Sequence, residues 1–326
     1  MSEVTFRDAI KLGMADALAA DPSVFLLGED IAEAGGTFKL TEGLMDEFGV
    51  ERVRDTPISE QAIIGAAIGA SIRGLRPVAE LMFADFAAVC FDQIANQLAK
   101  YRYMTGGQVT VPATVRLVNG AGGGFGAQHS QSVENWFLNV PGLKIAVPGS
   151  PADAYALIRA AVRDDDPVLF FEHKALYNVK GALEPGDEPI ELGSAAIVRQ
   201  GTDVTLVATQ LMRVRAEEAA ATLEGEGISV EIVDPRTLVP LDIATITGSV
   251  ERTNRLVVAQ ECSHDGSWGA SIVSRVIAES FDLLDGPPVV VSADATPIPY
   301  AGPLEHAWIP DAGRIANAVR TSVGAA

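Results

Sequence analysis

Residues 55–83 read DTPISEQAIIGAAIGASIRGLRPVAELMF. Within them SEQAIIGAAIGASIRG (59–74) opens on Ser and Glu, continues through aliphatic and small residues, and stops at Gly74, which predicts a helix. RPVAELMF (76–83) follows at once as a short apolar run and predicts a strand. The same alternation extends upstream, with FRDAIKLGMADALAAD (6–21) as a helix, SVFLLGED (23–30) as a strand and KLTEGLMDEFG (39–49) as a helix. Downstream come a long amphipathic segment over 84–107, the strand VTVPATVRLVN (109–119), the segment LKIAVPG (143–149), the helix SPADAYALIRAAVRDD (150–165) and the strand DPVLFFEH (166–173). Helices and strands in turn predict a parallel sheet covered on both faces.

This first domain is expected to span residues 1–180. Residues 181–200 form the body of a stretch rich in Pro, Gly and acid that has the composition of a linker, part of it suited to a hairpin. Residues 201–326 repeat the alternation as a second, smaller doubly wound α/β domain, from DVTLVAT (203–209) to PPVVVSA (287–293).

The chain has 326 residues, is 48% hydrophobic and carries a formal net charge of −19, so two packed domains are expected and phosphate backbones and anionic lipid are repelled. Nucleic acid and membrane are therefore not expected partners. AIIGAAIGASI (62–72) is too short to cross a bilayer, and no basic-then-apolar leader opens the chain. Cys90 and Cys262 lie far apart and suggest neither a disulfide framework nor a metal cluster, which fits the cytoplasm.

Ser59 is expected to cap the helix that Glu60 begins, and an acid in a first turn is favoured by the helix dipole. Gly65, Ala66, Ala67, Gly69 and Ala70 would let another backbone approach closely, which places Glu60 toward an interface. Desolvation there would raise its pKa and suit it to exchanging a proton with a heterocycle. In NGAGGGFGAQHSQ (119–131) five glycines lead into His129. Gly122, Gly124 and Ala127 match a loose dinucleotide fingerprint, but the polar stretch that follows, broken by Pro141, is a poor phosphate-binding helix. The remaining readings are a surface turn with a solvated His, or a loop passing close to a bound molecule with His129 held for proton transfer. His173 and His306 read as structural, and Glu261 with His264 as a weak catalytic pair. Asp164 to Asp166 oppose the dipole at a helix C-terminus, which a bound cation would relieve.

These stretches, together with FDQIANQLAKYRYMTGG (91–107), VPGLKIAVPGSPADA (140–154) and DPVLFFEHKALY (166–177), resemble in order the beta subunits of thiamine diphosphate-dependent 2-oxo acid dehydrogenases, the first component of the pyruvate, branched-chain and acetoin complexes. The resemblance implies a transketolase-like pyrimidine-binding domain followed by a transketolase C-terminal-like domain. It implies that Glu60 hydrogen-bonds the cofactor's aminopyrimidine, with Phe86 on the ring face and Ile58 and Met82 beside it, and that His129 assists substrate protonation or acyl transfer. It implies a potassium ion held near Ala113, Ala161, Val162, Asp164 and Asp166, although Asp166 stands where some relatives have Asn. Val89 stands where pyruvate-specific members often have Gln. No GDG occurs in the chain, so magnesium and the cofactor diphosphate fall to an alpha subunit in an α2β2 heterotetramer, with a second beta subunit and a lipoyl acyltransferase core as further partners. ELMFADFAAVCFDQI (80–94) and EHKALY (172–177) are closest to acetoin dehydrogenase, with pyruvate or branched-chain 2-oxo acids as alternatives. From a different class, a non-catalytic scaffold and a nucleotide-dependent reductase compete with this reading; Glu60 with His129 opposes the first and the poor helix after the glycine loop opposes the second.

Overall fold

The computed structural model describes residues 2–184, 186 and 190–324, which form two compact units. Unit 1 comprises Met1–Asn119 and Trp136–Leu192; unit 2 comprises Gly120–Asn135 and Gly193–Ala326. Among the described residues no helix is long and apolar enough to cross a membrane.

Unit 1 runs β1 (Ser2–Thr5), α1 (Phe6–Ala20), β2 (Val24–Gly28), α2 (Leu44–Phe48), β3 (Val53–Asp55), α3 (Glu60–Ile72), β4 (Arg76–Leu81), α4 (Tyr101–Met104), β5 (Thr114–Asn119), β6 (Lys144–Ala146), α5 (Pro151–Arg163), β7 (Val168–His173) and β8 (Lys180–Leu183). Its main sheet is parallel, in the order β6-β7-β5-β4-β2-β3. Strands β5 and β7 are buried along their whole length, as expected of parallel strands covered on both faces. Local signals begin the helices. Thr5 Oγ1 accepts from Asp8 N at 3.1 Å to cap α1, and Ser150 Oγ accepts from Asp153 N at 3.2 Å to cap α5 ahead of Pro151. Helices α1 and α5 pack at Gly13, where a Cβ would stand 2.4 Å from Ile158 Cγ2.

Four local expectations change. The helix expected over 39–49 shortens to α2, because Gly43 at φ 83° breaks the backbone before Leu44. The amphipathic segment over 84–107 is a broken path rather than one helix: a 3₁₀ turn at Ala84–Ala88, a π turn at Gln93–Leu98, then α4. Ser59 precedes α3, but its side chain makes no capping hydrogen bond. Within 181–200, β8 pairs antiparallel with β1 and not with a neighbouring hairpin strand.

Unit 2 runs β9 (Ala196–Arg199), β10 (Val204–Ala208), α6 (Gln210–Glu224), β11 (Val230–Asp234), β12 (Thr237–Val239), α7 (Ile243–Thr253), β13 (Leu256–Ala259), α8 (Trp268–Ser280), β14 (Val289–Val291), α9 (Gly302–Trp308) and α10 (Ala312–Val323). Its sheet has the order β14-β13-β10-β11-β9, parallel except for β9, which runs antiparallel to β11.

Candidate active site

In unit 1 the chain leaves β2 for β3 on one side, then crosses back to place β4 on the other. In open α/β sheets, ligands bind beyond the carboxyl ends of strands at such a reversal. The residues there are Glu29 after β2, Met82 and Phe86 after β4, and Glu60 at the start of α3.

Glu60, Met82 and Phe86 are half-buried, whereas Ile58 is 83% exposed and Val89 52% exposed. The Gln61 Nε2 donates to the Val89 carbonyl at 3.0 Å, which ties the first turn of α3 to the segment that follows Phe86. Phe86 meets Phe83 edge-on, with centroids 5.7 Å apart. Burial pushes the Cys90 thiol up to about 12, with the charge of Glu60 adding to the effect. Burial likewise raises the Glu29 carboxyl, followed by the charges of Glu60, Asp30 and Glu80. The negative field of Glu60 therefore reaches both Cys90 and Glu29. On the face of α3 that carries Gly65 and Gly69, a Cβ would meet nothing within 4 Å.

Beneath this end of the sheet lies a charge network that sequence reading missed. Arg116, 1% exposed, donates to Glu172 at 2.6 and 2.9 Å and to Glu80 at 2.5 Å, while the Tyr177 hydroxyl donates to Glu172 at 2.9 Å. Burial alone would lower the Arg116 pKa, but Glu172 and Glu80 raise it above the ordinary arginine value, so the guanidinium stays charged. Burial raises Tyr177 well above its ordinary value, with Glu172 adding to it, so the phenol remains a donor. Glu80 on β4 and Glu172 on β7 flank Arg116 on β5, and their residue types in three separate strands gave no local signal.

His129 belongs to unit 2 and is half-buried. Its loop takes positive φ at Gly120 (89°), Gly122 (101°), Gly124 (70°) and Gly126 (76°), a conformation that requires glycine. The amides this exposes are taken by the protein's own acids: Ala121 N donates to Glu261 at 2.7 Å, and Gly122 N and Gly124 N donate to Glu305 at 2.9 and 3.0 Å. That occupancy, together with an exit that leads only into a 3₁₀ turn at Glu134–Trp136 and not into an α-helix, removes the dinucleotide reading. Glu261 thus serves the loop and not a pair with His264, which is exposed beside Asp265 at 3.4 Å. His173 is buried and its Nδ1 accepts from Ala175 N at 3.3 Å, whereas His306 is exposed on α9.

The acids at 164–166 already have cations. Lys144 Nζ lies 2.6 Å from Asp164, Arg76 Nη2 2.6 Å from Asp165, and Arg102 Nη1 2.5 Å from Asp166. The carbonyls of Ala113, Ala161 and Val162 accept from Val168 N, Asp164 N and Arg76 Nη1 respectively. These donors relieve the unfavourable placement that suggested a bound cation, so the arrangement does not itself call for potassium. By contrast, a carboxylate, a half-buried phenyl ring and exposed aliphatic groups around Glu60 fit an aminopyrimidine.

Two family models match: "Transketolase, pyrimidine binding domain" over residues 2–180 and "Transketolase, C-terminal domain" over residues 193–315. The pair defines a transketolase-type chain of the thiamine diphosphate-dependent class. A solved structure described as "Split gene transketolase, inactive beta4 tetramer" superposes with a TM-score of 0.80 at 26% identity, over 98% of this chain and 99% of that one. Among curated relatives, the beta subunits of acetoin:2,6-dichlorophenolindophenol oxidoreductase from Cupriavidus necator and Bacillus subtilis are 46% and 45% identical; each covers 98% of this chain, with 98% and 97% of their own lengths matched. The mitochondrial pyruvate dehydrogenase E1 component subunit beta-2 of Oryza sativa is 43% identical over 98% of this chain and 86% of its own. The chain belongs to the family of E1 beta subunits of acetoin and pyruvate dehydrogenase-type complexes.

Proposed function

We propose that the chain is the beta subunit of a thiamine diphosphate-dependent dehydrogenase that cleaves acetoin and passes the acyl fragment to lipoamide. The position of Glu60 at the sheet reversal, where the neighbouring Gln61 is tied to Val89 in the segment that follows Phe86, supports the reading. Acetoin is favoured over pyruvate by the 45–46% identity to two acetoin-oxidising relatives and by exposed, apolar Val89 at the position where pyruvate-specific members often carry an amide.

When bound, thiamine diphosphate supplies the carbon nucleophile for breaking a bond next to a carbonyl. Glu60 exchanges a proton with the pyrimidine nitrogen, Phe86 covers the ring, and Ile58 and Met82 exclude water beside it. His129 serves proton transfer at the substrate or at the acyl transfer step. An alpha subunit supplies the magnesium and diphosphate contacts in an α2β2 assembly, a second beta subunit covers the open face of α3, and a lipoyl acyltransferase core accepts the product. Two free, buried cysteines support a reducing cytoplasm.

Co-expression with the alpha subunit, followed by dye reduction with acetoin, pyruvate and branched-chain 2-oxo acids, tests the substrate; fastest turnover on either oxo acid class refutes acetoin. Glu60→Gln should cut turnover by about 10²-fold or more while the heterotetramer still forms. Retained activity would remove Glu60 from the mechanism, and tight cofactor binding by this chain alone in calorimetry would refute the division between subunits.

A further inference from the structure

The glycine loop has the backbone of an anion site, yet its donors face the protein's own carboxylates. We propose that Glu305 and Glu261 are positioning residues that hold the loop bearing His129; this rests on the proton-transfer reading of that histidine.

Both acids are buried, Glu305 at 2% and Glu261 at 6% exposure. Gly122 N donates to Glu305 Oε1 at 2.9 Å, and Gly124 N lies 3.3 and 3.0 Å from Oε1 and Oε2. Glu261 Oε1 accepts from Ala121 N at 2.7 Å and from Ser132 Oγ at 3.2 Å, so it grips the loop on both sides of His129. Between these points, Gly126 accepts from His129 N at 3.4 Å and packs against Tyr300, to which an added Cβ would come within 3.6 Å. Successive backbone amides turned the same way form a concavity for negative charge. Here the charge arrives on side chains, from the end of β13 and from α9.

The requirement is for a carboxylate specifically. Glu305 presents both oxygens to two amides, and hydrogen bonds to an ionised acceptor are roughly twice as strong as neutral ones. A glutamine there keeps one acceptor oxygen, which leaves Gly124 N only the longer 3.3 Å contact, and it sets its NH₂ where Gly124 N had its 3.0 Å acceptor. Glycine-rich chain resists ordering more than any other sequence, so without those bonds the loop samples many conformations and His129 leaves its place.

The test uses the full chain assembled with its alpha subunit. Hydrogen exchange by mass spectrometry on peptides covering 120–132 should accelerate by about tenfold or more in E305Q, with α6 and α10 unchanged. Turnover should fall through kcat and not KM, and H129A/E305Q should be within about twofold of H129A, because the glutamate acts through the histidine. Unchanged exchange over 120–132 would overturn the proposal, as would fully additive losses in the double variant. If H129A keeps full turnover, the reading of His129 falls, and the exchange measurement alone decides whether Glu305 holds the loop. Faster exchange throughout unit 2 would show a general fold defect and also overturn it.

Discussion

Replacing Arg116 with methionine removes the cation that two buried acids share. Methionine fills much of the arginine stem, but Glu172 at 0% exposure and Glu80 at 8% lose their shared guanidinium. Tyr177 still donates to Glu172. Breaking a buried ion pair by deleting one partner costs about 3–5 kcal/mol, and with two acids orphaned and one phenol remaining we expect about 4 kcal/mol near neutral pH. The loss should depend on pH in a fixed sense. Burial already raises the Glu172 carboxyl above the ordinary 4.5 and Arg116 opposes that rise, so without Arg116 it goes higher still and the folded variant holds a proton that the unfolded chain releases. Stability of R116M relative to the parent then falls as pH rises from 4.5 through the raised folded values, and the penalty is smallest at and below 4.5. Urea-dependent hydrogen exchange on peptides from β4, β5 and β7 measures it in the intact chain. The triple variant R116M/E80Q/E172Q should recover most of the loss, since a neutral cluster has no charge to desolvate. A cost below about 1 kcal/mol for R116M, or one that is independent of pH and unrecovered in the triple variant, would refute this account of the network.

Asp242 caps α7, accepting from Thr245 N at 3.0 Å, Thr245 Oγ1 at 2.7 Å and Ala195 N at 3.1 Å. D242A should cost about 1–2 kcal/mol in urea titration. Burial would raise this carboxyl, but the hydrogen bonds from Thr245 and Ala195 hold it below the ordinary 3.8, so its contribution is full above 3.8 and disappears as pH falls through the lower folded value. A gap between D242A and the parent that widens on acidification would contradict that sign. Gly13→Ala should lower the melting temperature despite better helix propensity, because its methyl must displace Ile158 at a cost of about 1–3 kcal/mol; a higher melting temperature would show that α5 yields freely. Cys90, with its thiol pushed up to about 12, should resist iodoacetamide near neutral pH until the protein unfolds, as followed by intact mass.

Much of the fold is legible in local pattern. Helix α3 and strand β4 follow one another where the apolar run and Gly74 place them, and Thr5 and Ser150 cap α1 and α5 as short-range chemistry dictates. The failures have local causes too: a left-handed Gly43 shortens α2, and a π turn interrupts the segment after Phe86, where periodicity alone reads as one amphipathic face. Glu60 was legible because an acid opening an almost wholly apolar helix is conspicuous. Arg116 was not, since its partners Glu80 and Glu172 lie 36 and 56 residues away and each is unremarkable in its own strand. The counter-charges of the acids at 164–166 were not legible either, because Lys144, Arg76 and Arg102 reach them from elsewhere in unit 1.

By itself the sequence determined the two α/β domains, because periodicity, caps and glycine placement act over a few residues; its motifs carried the resemblance to the family, and it singled out Glu60 and His129 as candidates. Only the tertiary structure decided which charges meet. Glu305 reaches the amide of Gly122 across 183 positions of chain, and the hydrogen bond depends on distance through space, which no local pattern encodes.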